Sequence, residues 1–336
     1  VSDTSCLFDV DANSINFFNL PKVDVYASAY ASGGGGYPII FDNYTDSQKK
    51  KIMTTRNNFH FQIKIQNLKK TKAKYFLPYA SSFRSKLEID NYIEKNNLKI
   101  DIKRYKKAIS GMCKIIHQDS NSIIEFLDGK IIREKKIYKK SFRGVSDNKI
   151  LNSFKKEFSK IDIDEIREYF CESKFKDAII LFVSLTNDSF NKNYLNFYVD
   201  FSGSKILIKF LKKQEFEIKD YLKKLTNKNI IYIKARKEAF NYTIKAKSSW
   251  EDLGIGFQIR VQRFPNDYNY KFVEHFQYKY LSPENKKTSA DCSACTKFLH
   301  LIDKHIAEKN LDLALDELDK HINSWHDDRI IKSRLI

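Results

Sequence analysis

The sequence predicts an α/β unit at the start of the chain, then an α+β region with an antiparallel sheet, then a helical tail. Three observations lead there. An apolar run, "VDVYASAY" (23–30), is followed by four glycines and a 26-residue stretch with helical spacing. Strand-length runs with alternating patterns recur between 178 and 265. Beyond residue 287 the spacing becomes helical only.

The elements follow in order. "CLFDVD" (6–11) reads as a buried strand. In "VDVYASAY", Val23, Val25, Ala27 and Ala29 share one face by period-two alternation. "TDSQKKKIMTTRNNFHFQIKIQNLKK" (45–70) is a long helix, with Thr45 or Asp46 as N-cap and Ile52, Phe59, Ile63 and Leu68 as its apolar stripe. "AKYFLPYASSF" (73–83) returns as strand and loop, so Gly33–Gly36 lie beyond a strand end, where α/β folds place ligands. The spacing is neither GxGxxG nor a P-loop, and a tight turn without a ligand is equally open. A hairpin is predicted around Asp128-Gly129. Its basic run Arg133, Lys135, Lys136, Lys139, Lys140 and Arg143, with Tyr138 and Phe142 interleaved, either tracks phosphates or, as such runs ordinarily do, solvates a surface. Then come helical "SFKKEFSKIDIDEIREYFCES" (153–173), strand "AIILFVSL" (178–185), and a hairpin around Ser202-Gly203-Ser204. The resulting divisions are 1–90, a connecting segment with the basic hairpin at 91–150, an α+β domain at 151–286, and a helical hairpin tail at 287–336.

A formal charge of +18 favours an acidic partner: nucleic acid, an anionic membrane or an acidic small molecule. The same Lys-, Asn- and Ile-rich bias can come from base composition. Five cysteines, of which Cys6, Cys113 and Cys171 are isolated and only Cys292 and Cys295 form a CxxC, do not make a disulfide framework and point to a reducing compartment. No run approaches the roughly 20 apolar residues of a membrane span. A soluble, cytoplasmic chain without a membrane partner is expected. The chain opens with Val1 and is strand-like by residue 6, from which a cleaved or separately supplied N-terminal portion is expected.

The clearest polar constellation is "GFQIRVQRF" (256–264). As a strand it sets Gln258, Arg260 and Gln262 on one face and Phe257, Ile259 and Val261 on the other. "EHFQYKYL" (274–281), taken as the next strand, adds His275, Gln277 and Lys279. A guanidinium in such a row suits bidentate recognition of carboxylate or phosphate. The ordinary alternative is the solvent face of an antiparallel sheet. Metal ligands are sparse: Cys292 and Cys295 are half a zinc site at most, and Asp9 and Asp11, at the end of the first strand, could be ligands but alone are ordinarily turn or capping residues.

"WEDLGIGFQIRVQRFP" (250–265) with "FVEHFQYKYL" (272–281) resembles the C-terminal part of the CMP-N-acetylneuraminate hydroxylase family. "ASGGGGYPIIFDNYTD" (31–46), "KAKYFLPYASSF" (72–83), "IREYFCESKFKD" (166–177) and "FYVDF" (197–201) are similar to that family in the same order, covering about residues 6–281. The resemblance implies the C-terminal half of a metallo-β-lactamase-like αββα sandwich, followed by the α+β domain. It implies a metal-dependent enzyme, an oxygenase that hydroxylates an anionic sugar nucleotide, or a hydrolase on the same scaffold. It makes Asp11 a metal ligand, for iron or zinc, and puts Gly33, Gly34, Gly35, Gly36 and Tyr37 near substrate with Gln258, Arg260, Gln262 and His275. The Rieske cysteine/histidine pairs and the histidine-rich metal motif of the family's N-terminal half are not in this sequence. Asp11 alone cannot hold a catalytic metal, which takes three or more protein ligands. The expected partner is therefore that N-terminal half, cleaved or separate, with an acidic small molecule as substrate. The alternative is a non-catalytic basic subunit that binds nucleic acid or a protein.

Overall fold

A computed structural model describes residues 3–9, 22–30, 36–79, 88–116, 122–136, 147–211 and 229–277, with single positions at 218, 308, 310 and 313. Asp11, Gly33–Gly35, Lys279, the CxxC pair and nearly all of the expected tail hairpin lie outside them.

The first unit is a parallel sheet in the order β1 (Cys6–Asp9), β2 (Val25–Ala29), β3 (Tyr75–Tyr79), β4 (Lys114–Ile115). Both faces of β2 are covered, so Tyr26 and Ser28 are buried as fully as Val25 and Ala27, as parallel strands require. Helix α1 (Asp46–Thr71) crosses from β2 to β3. Thr45 caps it in a reciprocal box: its hydroxyl accepts from Gln48 N while Thr45 N donates to Gln48 Oε1 at 2.8 Å. Phe59, Ile63 and Leu68 are buried as expected, with Ile52 half-buried. Lys49, Asn57, Lys64, Asn67 and Thr71 are buried too. The helix touches the sheet on one side and α2 (Asn91–Asn96) and α3 (Ile102–Ala108) on another, so its polar side chains must find partners inside. Asn57 Nδ2 donates to Leu98 O at 2.9 Å, and Lys64 Nζ reaches Asp9 Oδ2 at 2.7 Å.

The hairpin β5 (Ser122–Leu127) and β6 (Lys130–Lys136) turns at Asp128-Gly129, where both residues have positive φ, 49° and 66°. That is the two-residue turn whose twist matches antiparallel strands. Helices α4 (Asp147–Glu157) and α5 (Ile163–Ser173) divide what the sequence reads as one helical stretch.

The second sheet has the order β11-β10-β7-β8-β9: β7 (Ile179–Thr186), β8 (Asn193–Asp200), β9 (Leu207–Leu211), β10 (Asn229–Arg236) and β11 (Ile259–Phe264). It is mixed rather than antiparallel throughout. β10 runs parallel to the fully buried β7, because the chain crosses from the β9 edge back to the other side of β7. One face is covered by α5, α6 (Lys237–Lys245), α7 (Trp250–Ile255) and α8 (Tyr270–Gln277).

Helix α8 corrects one expectation. "EHFQYKYL" alternates, but Phe272 and Phe276 stand one helical turn apart and both enter the core beside Trp250, at ring distances of 5.8 and 4.9 Å. The 3.6-residue spacing of the preceding residues overrides the period-two reading. The two units are joined as well. Residues 39–43 turn against β11 and make one parallel bridge there, Phe41 opposite Val261, with Val261 N donating to Ile40 O and Asp42 N to Val261 O, each at 2.8 Å. Ile39, Ile40, Met53 and Ile93 therefore pack into the same core as β7, β10 and β11.

Candidate functional site: a guanidinium crevice

The face of the second sheet opposite α5–α8 carries a polar row. Cross-strand register aligns Asn196, Ser184, Lys234 and Arg260 on β8, β7, β10 and β11. Alternation puts them on the face opposite Val183, Ile233, Ile259 and Val261, which enter the core. The β11 end of this row meets the first unit at Asp42, Lys49 and Tyr92, and meets the β7–β8 loop at Phe190.

Arg260 is only 9% exposed. Its guanidinium lies 4.4 Å from the Phe190 ring centroid and 5.1 Å from that of Tyr92. Its one hydrogen bond to a described residue runs from Nη1 to Ile259 O, and no described carboxylate comes within ion-pair distance. Burial pulls its pKa below the ordinary guanidinium range, opposed by the field of Asp42. Lys49, 3% exposed, is lowered for the same reason; its Nζ donates to Tyr92 OH at 2.9 Å and lies 3.9 Å from Asp42. Lys234 Nζ is 3.7 Å from the other Asp42 oxygen. Tyr92 OH donates to Asp46 at 2.8 Å, and burial followed by this carboxylate pushes the phenol pKa up. The crevice thus holds under-compensated positive charge between aromatic rings.

Arg236, at the end of β10, is committed in every direction. Nη1 donates to Asp90 Oδ1 at 2.9 Å and Gln258 Oε1 at 3.3 Å, Nη2 to Ile89 O at 2.9 Å, and Nε to Asp188 O at 3.1 Å. Asp90 and Asp188 each precede a ring of the crevice, Tyr92 and Phe190, by two residues.

The expected site residues separate accordingly. Arg260 stands in the crevice, and Gln262 at its rim, donating to Asp42 O at 3.4 Å. Gln258 precedes β11 and turns to Arg236. Tyr37 lies outside the crevice, between Arg56, 5.3 Å from its ring, and Phe41. Gly36 answers to the protein itself: a Cβ there would sit 2.7 Å from Gly254 O and 2.6 Å from Ile40 Cδ1. His275 is on α8, against the other face of the sheet, with Nε2 2.9 Å from Ser173 O. It does not share a surface with Arg260. Lys49, Asp42, Tyr92, Phe190, Lys234 and Arg236 are additions from the structure. Only "IIYIKAR" (230–236) carried a sequence signal for them, since Lys234 and Arg236 alternate with Ile233 and Ala235.

No group of three His, Cys, Asp or Glu side chains that could hold a metal occurs among the described residues. Asp9, at the end of β1, is buried with one oxygen engaged: Oδ2 accepts from Lys64 Nζ and from Tyr26 OH, while Oδ1 has no hydrogen-bond partner among the described residues. The described donors by themselves do not fit a catalytic metal. No helix among the described residues is long and apolar enough to cross a membrane.

Neither a family model nor a solved structure matches the chain. Curated proteins do. A cytidine monophosphate-N-acetylneuraminic acid hydroxylase from Macaca mulatta is 27% identical over 84% of this chain and 49% of its own length. The chain is similar to cytidine monophosphate-N-acetylneuraminic acid hydroxylases. The Sus scrofa hydroxylase is 26% identical over 84% of the chain and 67% of its own length, and the inactive Homo sapiens protein 27% identical over 84% and 58%. The chain spans about half the length of the first of these hydroxylases.

Proposed function

We propose that this chain is the substrate-holding part of an enzyme related to cytidine monophosphate-N-acetylneuraminic acid hydroxylase, and that its crevice takes the acidic group of a sugar nucleotide. The observation that carries this is Arg260: a guanidinium held between two rings, nine-tenths buried, with one hydrogen bond to a described residue. A desolvated, rigidly stacked guanidinium with spare donors recognises an oxyanion at little further entropic cost. In this reading the first unit belongs to a metallo-β-lactamase-like sandwich. The metal, iron or zinc, draws its ligands from beyond the described residues, with Asp11 among the candidates and the rest on the half of the relatives that this chain does not span. That half, as a preceding segment or a separate chain, is the proposed partner. Whether the completed enzyme hydroxylates or hydrolyses depends on those ligands.

A second reading has its own observation. On β6, Lys130, Arg133, Lys135 and Lys136 are all exposed, as a basic ribbon that could follow a nucleic-acid backbone. Calorimetric titration separates the two. Wild-type chain should bind CMP-N-acetylneuraminate with weak dependence on salt, and Arg260→Ala should lower the affinity at least about tenfold, the loss of one charged hydrogen-bonding group. Full affinity in Arg260→Ala would remove the crevice reading. Binding of single-stranded nucleic acid that falls steeply with salt would favour the ribbon.

A further inference from the structure

Asp42 is held in an unusual way for a carboxylate among cations. Its backbone is pinned, with Asp42 N donating to Val261 O at 2.8 Å. Its side chain nevertheless offers one oxygen to Lys49 at 3.9 Å and the other to Lys234 at 3.7 Å, both beyond hydrogen-bond length. No hydrogen bond from a described residue reaches that carboxylate, and it stays 29% exposed. Arg260, the third cation, has no direct carboxylate among the described residues. Arg236 and Asp90 neutralise each other at 2.9 Å. Lys49, Lys234 and Arg260 are then opposed by Asp42 and by Asp46, which is engaged by Tyr92 OH. One positive charge is left over.

We infer that Asp42 is the internal counter-anion of the crevice and limits it to a singly charged acidic group, a carboxylate or a phosphodiester, held jointly by Lys49, Lys234 and Arg260. This rests on the reading that the crevice takes the acid group of a sugar nucleotide. The excess charge matches one negative charge. A doubly charged terminal phosphate would meet the repulsion of Asp42 across a few ångströms, where partial burial leaves little screening. Asp42 therefore weakens every anion and weakens dianions most, which is how a like charge confers selectivity.

The test titrates the full chain with CMP-N-acetylneuraminate, free N-acetylneuraminate and CMP at low and high salt, as wild type, Asp42→Asn, Lys234→Met and Arg260→Ala. Asp42→Asn is isosteric and keeps the backbone pairing to β11. It should tighten CMP-N-acetylneuraminate at least about threefold at low salt, less at high salt, and improve CMP by a larger factor. Lys234→Met should weaken binding. A gain shared by free N-acetylneuraminate assigns the carboxylate; a gain confined to the sugar nucleotide and CMP assigns the phosphate linkage. Unchanged or weaker binding in a folded Asp42→Asn protein overturns the inference. If that variant does not fold, unaltered affinity in Lys234→Met does so. Loss of binding in Arg260→Ala with wild-type titrations in the other two leaves the crevice standing and removes the role of Asp42. Full binding in Arg260→Ala, or none in the wild type, removes both.

Discussion

At the end of β10, Arg236 divides its donors among the 88–90 turn, the β7–β8 loop and Gln258, and so fixes the segments that carry both rings around Arg260. Arg236→Ala should cost about 3–5 kcal/mol, because it breaks the buried ion pair with Asp90. Arg236→Lys should recover little of this, since one ammonium cannot replace a planar fork. Urea unfolding, with the midpoint shifted at constant slope, checks both. His60 on α1 gives a pH prediction. Burial first, then Arg56 and Lys64, lowers its pKa to about 4. The folded state thus binds fewer protons than the unfolded chain between the ordinary value near 6.5 and about 4, and stability falls as pH drops through that window. The full effect is roughly 3 kcal/mol. His60→Leu should flatten the stability profile there; an unchanged slope between pH 6.5 and 4 would show that His60 is not the group responsible.

Among the elements, those set by local chemistry were legible and those set by tertiary contact were not. Thr45 with Gln48 announces the start of α1, and Asp128-Gly129 its hairpin, because a cap and a two-residue turn depend on a few adjacent residues. Nothing in the local sequence marks Lys49 and Lys64 as buried; their burial follows from Tyr92 and Asp9, which are distant in sequence. The polar row of β11 was visible as alternation. Its covering was not, since Phe190 reaches Arg260 from a loop whose Phe190 takes a positive φ of 59°. Period-two alternation failed at α8, where the Phe272/Phe276 pair decides. The glycine run falls between these cases. At Gly36 the close approach is to Gly254 O, so Gly36→Ala should destabilise by about 1–3 kcal/mol through overpacking, whether or not a ligand is present. A melting temperature equal to wild type would contradict that contact.

Across the molecule, the crevice exists because residues 39–43, α1 and α2 of the first unit pack onto the second sheet, while the first sheet keeps a core of its own. The 39–43 segment pairs with β11 and carries Ile39 and Ile40 inward, which brings Asp42 and α1 to the polar face of the second sheet. Neither unit has the site alone: Lys49, Tyr92 and Asp42 come from the first, Lys234, Arg260 and Phe190 from the second. The edge strand β1 pairs only with β2 among the described strands, and Phe8 on it is 65% exposed. An open parallel edge of this kind is where the proposed preceding half would add its strands.

The most direct test is a crystal of the chain grown with CMP-N-acetylneuraminate. Density for the ligand's acidic group should lie against Arg260, between the Tyr92 and Phe190 rings and within reach of Lys49 and Lys234. Ligand density elsewhere on the chain, with that crevice unaltered, would contradict it.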